Sequence, residues 1–169
     1  MTSGVISVVK GPEITPDVIF HGPCENSFPM AQPRTYTFCF GPWTLSEGQD
    51  PYGPPTRARQ PFDWKLAQLK RHGFDAMMFH DDDVVPDIDR KSLPEVERET
   101  KALGRRLRSE GVAAEMVAPR LWFAPQTVDG AYTSNDPKHR RYAIDRSKRT
   151  IDIANILGTD LIVLWLARM

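Results

Sequence analysis

The sequence has few cysteines, no long apolar run and no excess of charge of either sign. Its 2 cysteines in 169 residues, Cys24 and Cys39, suit free thiols in a reducing cytoplasm better than a disulfide scaffold. The longest apolar run, Leu161 to Ala167, is far shorter than the roughly 20 residues that a membrane-spanning helix needs. No secretory signal is visible. Acidic and basic residues number 22 each, so we expect neither nucleic acid nor a membrane as a partner.

Prolines and glycines dominate the first part of the chain and leave little room for a helix or a central strand. We therefore predict an irregular N-terminal arm over residues 1–33 and a folded region over 34–169. From Arg34 onwards, short apolar segments alternate with amphipathic ones. The predicted strands are Tyr36 to Phe40, Phe74 to Phe79, Val112 to Ala118 and Leu161 to Trp165, and the predicted helices are Phe62 to His72, Leu93 to Glu110 and Asp136 to Leu157.

The alternation of four strands with three helices predicts an α/β fold with a parallel sheet. Gly73, Gly111 and Gly158 follow the three helices, as expected of helix C-terminal caps. The pattern corresponds to about half of an eight-stranded TIM barrel, which typically has about 250 residues. An open doubly wound sheet is the alternative, but the first turn lacks a glycine fingerprint for phosphates and the long loops follow strands, which favours the partial barrel.

Two groups of basic residues lie within the last predicted helix, at 138–141 and 146–149. Acidic residues elsewhere in the chain balance their charge. We therefore predict that both groups form a solvated helix face.

A histidine and three carboxylates follow the second predicted strand, in the segment Phe79-His80-Asp81-Asp82-Asp83. The carboxyl ends of strands are where α/β barrels carry their catalytic residues. An imidazole exchanges protons near neutral pH, and Asp83 is close enough in sequence to bind one ring nitrogen and orient the other. The equally open alternative is a solvated loop that contains a helix cap, with His80 as a polar strand end.

Three tryptophans, Trp43, Trp122 and Trp165, fall at or just beyond the ends of predicted strands. They could line a pocket at that end of the sheet or belong to the apolar core. On the residues alone, the core is the more common role. Trp64 falls inside the first predicted helix, and we predict that it packs against the rest of the fold.

From Thr35 to Trp165 the sequence resembles the amino-terminal half of the xylose isomerase family. The resemblance depends on the order and spacing of several segments, and none of them is decisive alone. These segments are Gly41-Pro42-Trp43-Thr44, Asp50-Pro51-Tyr52-Gly53 with Thr56-Arg57, Gly73-Phe74-Asp75, Phe79-His80-Asp81-Asp82-Asp83, Asp129 to Asp136, Arg140-Arg141-Tyr142-Ala143, Ile151-Asp152-Ile153-Ala154 and Leu157-Gly158.

The resemblance implies an aldose–ketose isomerase that converts D-xylose to D-xylulose by a hydride shift. His80 matches the histidine that assists ring opening, and Asp83 matches its carboxylate partner. Tyr52 matches an aromatic residue that reaches into the active site of a neighbouring subunit, which implies a homo-oligomer, a tetramer in this family. Trp43, Trp122 and Trp165 match the aromatic wall of the sugar pocket.

The sequence also departs from the family. Tyr52 and Trp122 stand where phenylalanine is usual, and larger side chains would narrow the pocket. The resemblance implies two divalent cations, Mg²⁺, Mn²⁺ or Co²⁺, but the family's metal ligands lie in the half that has no counterpart here. We therefore expect no metal ligand in this sequence. The alternatives are a non-catalytic partial barrel or assembly partner, and a related TIM-barrel sugar epimerase.

Overall fold

A computed structural model describes residues 37–45, 57–122, 124–128 and 130–166. These residues form a mixed α/β structure with a three-stranded parallel sheet in the order β1-β2-β3. The α/β prediction is confirmed, and the sheet is compatible with part of a barrel, although the barrel itself stays a prediction. The elements are β1 (Cys39–Phe40), α1 (Phe62–Arg71), β2 (Ala76–His80), α2 (Asp81–Val84), α3 (Leu93–Ser109), β3 (Ala113–Ala118) and α4 (Pro137–Leu157).

The three predicted helices are confirmed to within one residue at each end, because their termini carry strong local signals. Ser92 and Glu95 form a capping box at the start of α3, in which the Ser92 backbone N–H donates to Glu95 Oε2 at 2.8 Å. At the start of α4, the Asp136 carboxylate accepts a hydrogen bond from the Lys138 backbone N–H at 2.7 Å. Gly158 ends this helix with a φ of 85°, a left-handed conformation that glycine adopts most readily.

The predicted strand Leu161 to Trp165 is wrong in extent. It is reduced to one parallel bridge between Ile162 and Val117, in which Val117 N–H donates to Leu161 O and Val163 N–H donates to Val117 O, each at 3.1 Å. Beyond Val163 the side chains are largely exposed. Among the described residues no further strand pairs with the outer side of this segment, so β3 alone supports it there.

The other predicted strands need smaller corrections. The first has only Cys39–Phe40 in the sheet, and Tyr36 lies outside the described residues. The second begins at Ala76 and includes His80 as its last residue, whereas we predicted Phe74 to Phe79. The carboxylates after it form the single-turn helix α2, which differs from the solvated loop that was the alternative interpretation of this segment.

The core lies around β2. Met77 and Phe79 are fully buried and pack in one cluster with Leu69 of α1, Leu107 of α3 and Ile153 of α4. Because three helices pack against β2 in this cluster, its carboxyl end is fixed, and His80 stands at that end.

Several predictions fall on other parts of the chain. The N-terminal arm over 1–33, Cys24 and Tyr52 lie outside the described residues. Cys39 is a free thiol, as predicted. No helix in the described ranges has the length and apolar character needed to cross a bilayer.

Candidate active site

His80 and Asp83 are brought together by the turn that begins α2. Asp83 Oδ2 accepts hydrogen bonds from both the His80 backbone N–H and the His80 Nδ1 atom, each at 3.0 Å. His80 is only 6% exposed. An ionised carboxylate only accepts hydrogen bonds, so the proton of this contact belongs to Nδ1. Nε2 forms no hydrogen bond within the described part of the chain.

The Asp83 carboxyl group is held in its ionised form. Burial opposes its ionisation, but the hydrogen bond from His80 and the charge of Arg120 outweigh that effect and lower the pKa of Asp83. The neighbouring Asp82 shows the opposite balance. There, burial outweighs the attraction of Arg120 and raises the pKa of the carboxyl group. Asp83 is therefore the carboxylate that can stabilise a protonated imidazole.

Two of the three tryptophans predicted to line a pocket, Trp43 and Trp122, pack against His80, and the third contacts Trp122. The ring centroids of Trp43 and His80 lie 4.0 Å apart, and those of His80 and Trp122 lie 5.0 Å apart in an edge-on arrangement. Trp165 extends the group, with its ring 5.7 Å from that of Trp122, and remains 37% exposed. Trp64, for which the sequence predicts packing, is instead 41% exposed on α1.

Trp43 is placed by a short 3₁₀ turn over Pro42–Thr44. Thr44 closes the turn, because its backbone N–H and its Oγ1 both donate to the Gly41 carbonyl oxygen, at 3.0 and 2.8 Å. The indole folds back onto Gly41, where an added Cβ would lie 2.2 Å from the Trp43 ring. Glycine at position 41 is thus what allows Trp43 to lie against His80.

Arg120, which no sequence pattern identified, completes the acidic segment. Its Nε donates to Asp82 Oδ1 at 2.7 Å, and its Nη2 donates to Asp83 Oδ1 at 3.0 Å. Its guanidinium also lies 5.9 Å from the Trp122 ring centroid, within cation–π range. The partners are 38 and 37 residues apart in sequence, so only the pairing of β2 with β3 brings them together.

Asp81 anchors the segment from His80 to Asp83 to the rest of the fold and is completely buried. Its carboxylate accepts two hydrogen bonds from Arg146, one from Nη2 at 2.9 Å and a closer one from Nε. It also accepts from Thr150 Oγ1 at 3.2 Å and from the Arg120 backbone N–H at 3.1 Å. One carboxylate therefore connects β2, the loop after β3 and α4.

The burial of Arg146 contradicts the prediction that residues 146–149 form a solvated face. Arg146 is 5% exposed, because it must reach Asp81. Burial disfavours its charge, but the hydrogen bond and charge of Asp81 outweigh that effect and raise the pKa of the guanidinium. It also contacts Asp89 Oδ2 at 2.7 Å and the Tyr142 hydroxyl at 3.1 Å.

His80, Asp82 and Asp83 place potential metal-ligand atoms within 4.8 Å of one another. The donor set is nevertheless a poor fit for a divalent cation. Arg120 already binds one oxygen of Asp82 and one of Asp83, and the other Asp83 oxygen binds His80. A cation here would have to displace the guanidinium or lie against its charge. The expectation that the sequence supplies no metal ligand stays a prediction.

Comparison with known proteins relates the chain to sugar isomerases. No family model matches the sequence. The xylose isomerase of Thermus caldophilus is 34% identical over 146 residues, which cover 82% of this chain and 36% of that protein. The xylose isomerase of Thermus thermophilus is 32% identical over 143 residues, with the same coverage of both chains. The chain is therefore xylose isomerase-like over 82% of its length, and it spans about a third of the length of these curated relatives.

Proposed function

We propose that this chain supplies the ring-opening part of a xylose isomerase-like aldose–ketose isomerase. The observation that carries the proposal is the arrangement around His80, in which Asp83 holds Nδ1 at 3.0 Å while Trp43 and Trp122 pack against the ring. The similarity to xylose isomerases over 82% of the chain supports the same reaction class.

Ring opening of an aldopyranose transfers one proton from the anomeric hydroxyl to the ring oxygen, while the bond between the anomeric carbon and the ring oxygen breaks. In the proposed reaction, Nε2 of His80 accepts the hydroxyl proton. The resulting imidazolium is stabilised by Asp83 through the Nδ1–H hydrogen bond. The imidazolium then returns the proton to the ring oxygen, and the aldehyde forms with no net change in the enzyme.

The tryptophans would bind the carbon face of the sugar and exclude water from its reacting carbons. Trp43 and Trp122 flank His80 directly, and Trp165 extends the aromatic surface outwards. We propose the same pocket for the hydride shift, for which the divalent cations implied by the family would supply Lewis-acid chemistry. Because the His80 cluster fits such a cation poorly, we infer that the cations bind elsewhere.

Three further features belong to the proposal through the resemblance alone. They are a role for Tyr52 in the active site of a neighbouring subunit, a homotetrameric assembly, and metabolism of pentose sugars in the cytoplasm. Tyr52 lies outside the described residues.

Anomer exchange provides a direct test, because a sugar changes its anomeric configuration only through the open chain. Freshly dissolved α-D-xylopyranose is mixed with the full chain in a buffer that contains EDTA, and its conversion is followed by polarimetry or by NMR. We expect acceleration in proportion to protein concentration. Well-placed general acid–base groups typically contribute about 10²–10⁴-fold, so His80→Ala should abolish the effect and Asp83→Asn should reduce it at least about tenfold.

His72→Ala is the matched control, because His72 is an exposed histidine at the end of α1, and it should leave the exchange rate unchanged. Absence of acceleration by the wild-type chain, or equal acceleration by His80→Ala, would support the alternative of a non-catalytic partial barrel. Formation of ketose from xylose or glucose with added Mg²⁺ or Mn²⁺, abolished by chelation, would show in addition that the chain completes the isomerisation.

A further inference from the structure

Arg120 lies behind the His80–Asp83 pair and makes a specific set of contacts. Its guanidinium donates from Nε to Asp82 and from Nη2 to Asp83. Its backbone N–H is bound by the buried Asp81, and its side chain is only 16% exposed. The position of the guanidinium is therefore determined at both ends, by the backbone and by two carboxylates.

The contact with Asp83 involves the oxygen that does not face His80. Arg120 binds Oδ1 at 3.0 Å, whereas His80 binds Oδ2 at 3.0 Å through Nδ1 and through its backbone N–H. A carboxylate with partners on both oxygens cannot rotate about its Cβ–Cγ bond without losing a charge-assisted hydrogen bond. Arg120 therefore limits the rotation of the Asp83 carboxylate.

A role in binding an anionic substrate is less consistent with these contacts. Two of the guanidinium donors already bind carboxylates, and three aspartates follow one another in this segment. Their negative charge would repel a phosphate or a substrate carboxylate. The guanidinium of Arg120 instead binds Asp82 and Asp83, the second of which holds His80.

We propose that Arg120 is a positioning residue that fixes the tautomer of His80 through Asp83. By holding Oδ1, it turns Oδ2 towards the imidazole, so that the proton of neutral His80 is on Nδ1 and the lone pair is on Nε2. Only this tautomer can accept the anomeric proton at Nε2. The inference depends on the proposed function for the use made of Nε2, but the tautomer can be measured whether or not the chain acts on a sugar.

The test uses the full chain labelled with ¹⁵N-histidine and long-range ¹H–¹⁵N NMR spectra at pH 8, which distinguish protonated from unprotonated ring nitrogens. In the wild type, His80 should show one neutral tautomer with Nδ1 protonated. Arg120→Gln keeps a polar side chain but removes the charge and the two-pronged contact. We expect the Nδ1–H tautomer to fall from nearly all molecules to about half, because the fixing partner is weakened.

Arg120→Lys restores the charge, and one ammonium can still bind Asp83. It should recover most of the Nδ1–H tautomer, and it tests the proposal by itself if Arg120→Gln does not fold. Arg105→Gln is the matched control, because Arg105 is exposed on α3, and it should leave the His80 signals unchanged. Unchanged amide signals of β2 would show that the fold is intact.

Two results would overturn the proposal. One is a wild-type His80 with its proton on Nε2, and the other is an Nδ1–H population that Arg120→Gln leaves at the wild-type value in a folded chain. If Arg120→Gln is unfolded, an Nδ1–H population of at least about four fifths in Arg120→Lys supports the role of the charge, and loss of the Nδ1–H tautomer there counts against it. Suppose that Arg120→Gln shows the expected fall in the Nδ1–H population but the wild-type chain does not accelerate anomer exchange. That result would refute the proposed function and still support the role of Arg120.

Discussion

Arg146→Met should destabilise the fold strongly, because it leaves the fully buried Asp81 carboxylate without its charged partner. Asp81 would retain hydrogen bonds from Thr150 Oγ1 and from the backbone N–H groups of Arg120 and Asp82, but all three donors are neutral. Removing one partner of a buried ion pair typically costs about 3–5 kcal/mol. For a chain of this size, that loss corresponds to a fall in Tm of about 6–20 °C.

The assay is urea unfolding followed by tryptophan fluorescence, with Arg141→Met as the control. Arg141 lies on the exposed side of the same helix, so its replacement should change the free energy of unfolding by less than about 0.5 kcal/mol. The double variant Asp81→Asn with Arg146→Met removes the unpaired charge and should regain part of the loss. A cost of less than about 1 kcal/mol for Arg146→Met, or a double variant less stable than Arg146→Met, would contradict the expected role of this ion pair.

Two further predictions concern Asp83 and Gly41. Because the folded pKa of Asp83 lies below the ordinary value of 3.8, its contribution to stability should be complete above that value and should be lost as the pH falls through the lower folded pKa. In urea unfolding between pH 2 and pH 6, the free energy of unfolding should therefore depend less on pH in Asp83→Asn than in the wild type. An equal pH dependence in both proteins would contradict the lowered pKa of Asp83. Gly41→Ala should cost about 1–3 kcal/mol through overpacking, since its Cβ would lie 2.2 Å from the Trp43 ring. NMR should also show loss of the cross-relaxation between the Trp43 and His80 rings, and its persistence would show that the indole does not depend on this glycine.

The helices and the contact between His80 and Asp83 could be predicted because their signals are local. The capping residues Ser92 and Asp136 and the glycines after each helix mark the ends of the helices in the sequence itself. The contact between His80 and Asp83 needs only the spacing of three residues across one turn. The convergence of the tryptophans follows from parallel strands, whose carboxyl ends meet at one edge of the sheet.

Arg120 and Arg146 could not be assigned in this way, because their roles depend on partners distant in sequence. Nothing near Arg120 indicates that its guanidinium will meet Asp82 and Asp83, a contact that requires the pairing of β2 with β3. Arg146 belongs to a run of charges of the kind usually found on a solvated face. Its burial becomes evident only when α4 is placed against Asp81.

The fourth predicted strand shows a different limit of sequence reasoning. Leu161 to Trp165 has the composition of a buried strand, but composition does not indicate whether a neighbouring strand is present. In the structure, only the bridge at Ile162 forms. The position of Trp165 therefore depends on its contact with Trp122 more than on the sheet.

The four consecutive residues from His80 to Asp83 contact three different neighbours. His80 lies among the tryptophans, Asp81 contacts α4, and the last two carboxylates bind the loop after β3. Inserting or deleting one residue in a helical turn rotates all later side chains of that turn by about 100°, so a length change within this segment would break the His80–Asp83 contact and leave the buried charge of Asp81 unpaired at once. Homologous chains that keep this arrangement should therefore tolerate substitutions here more readily than gaps.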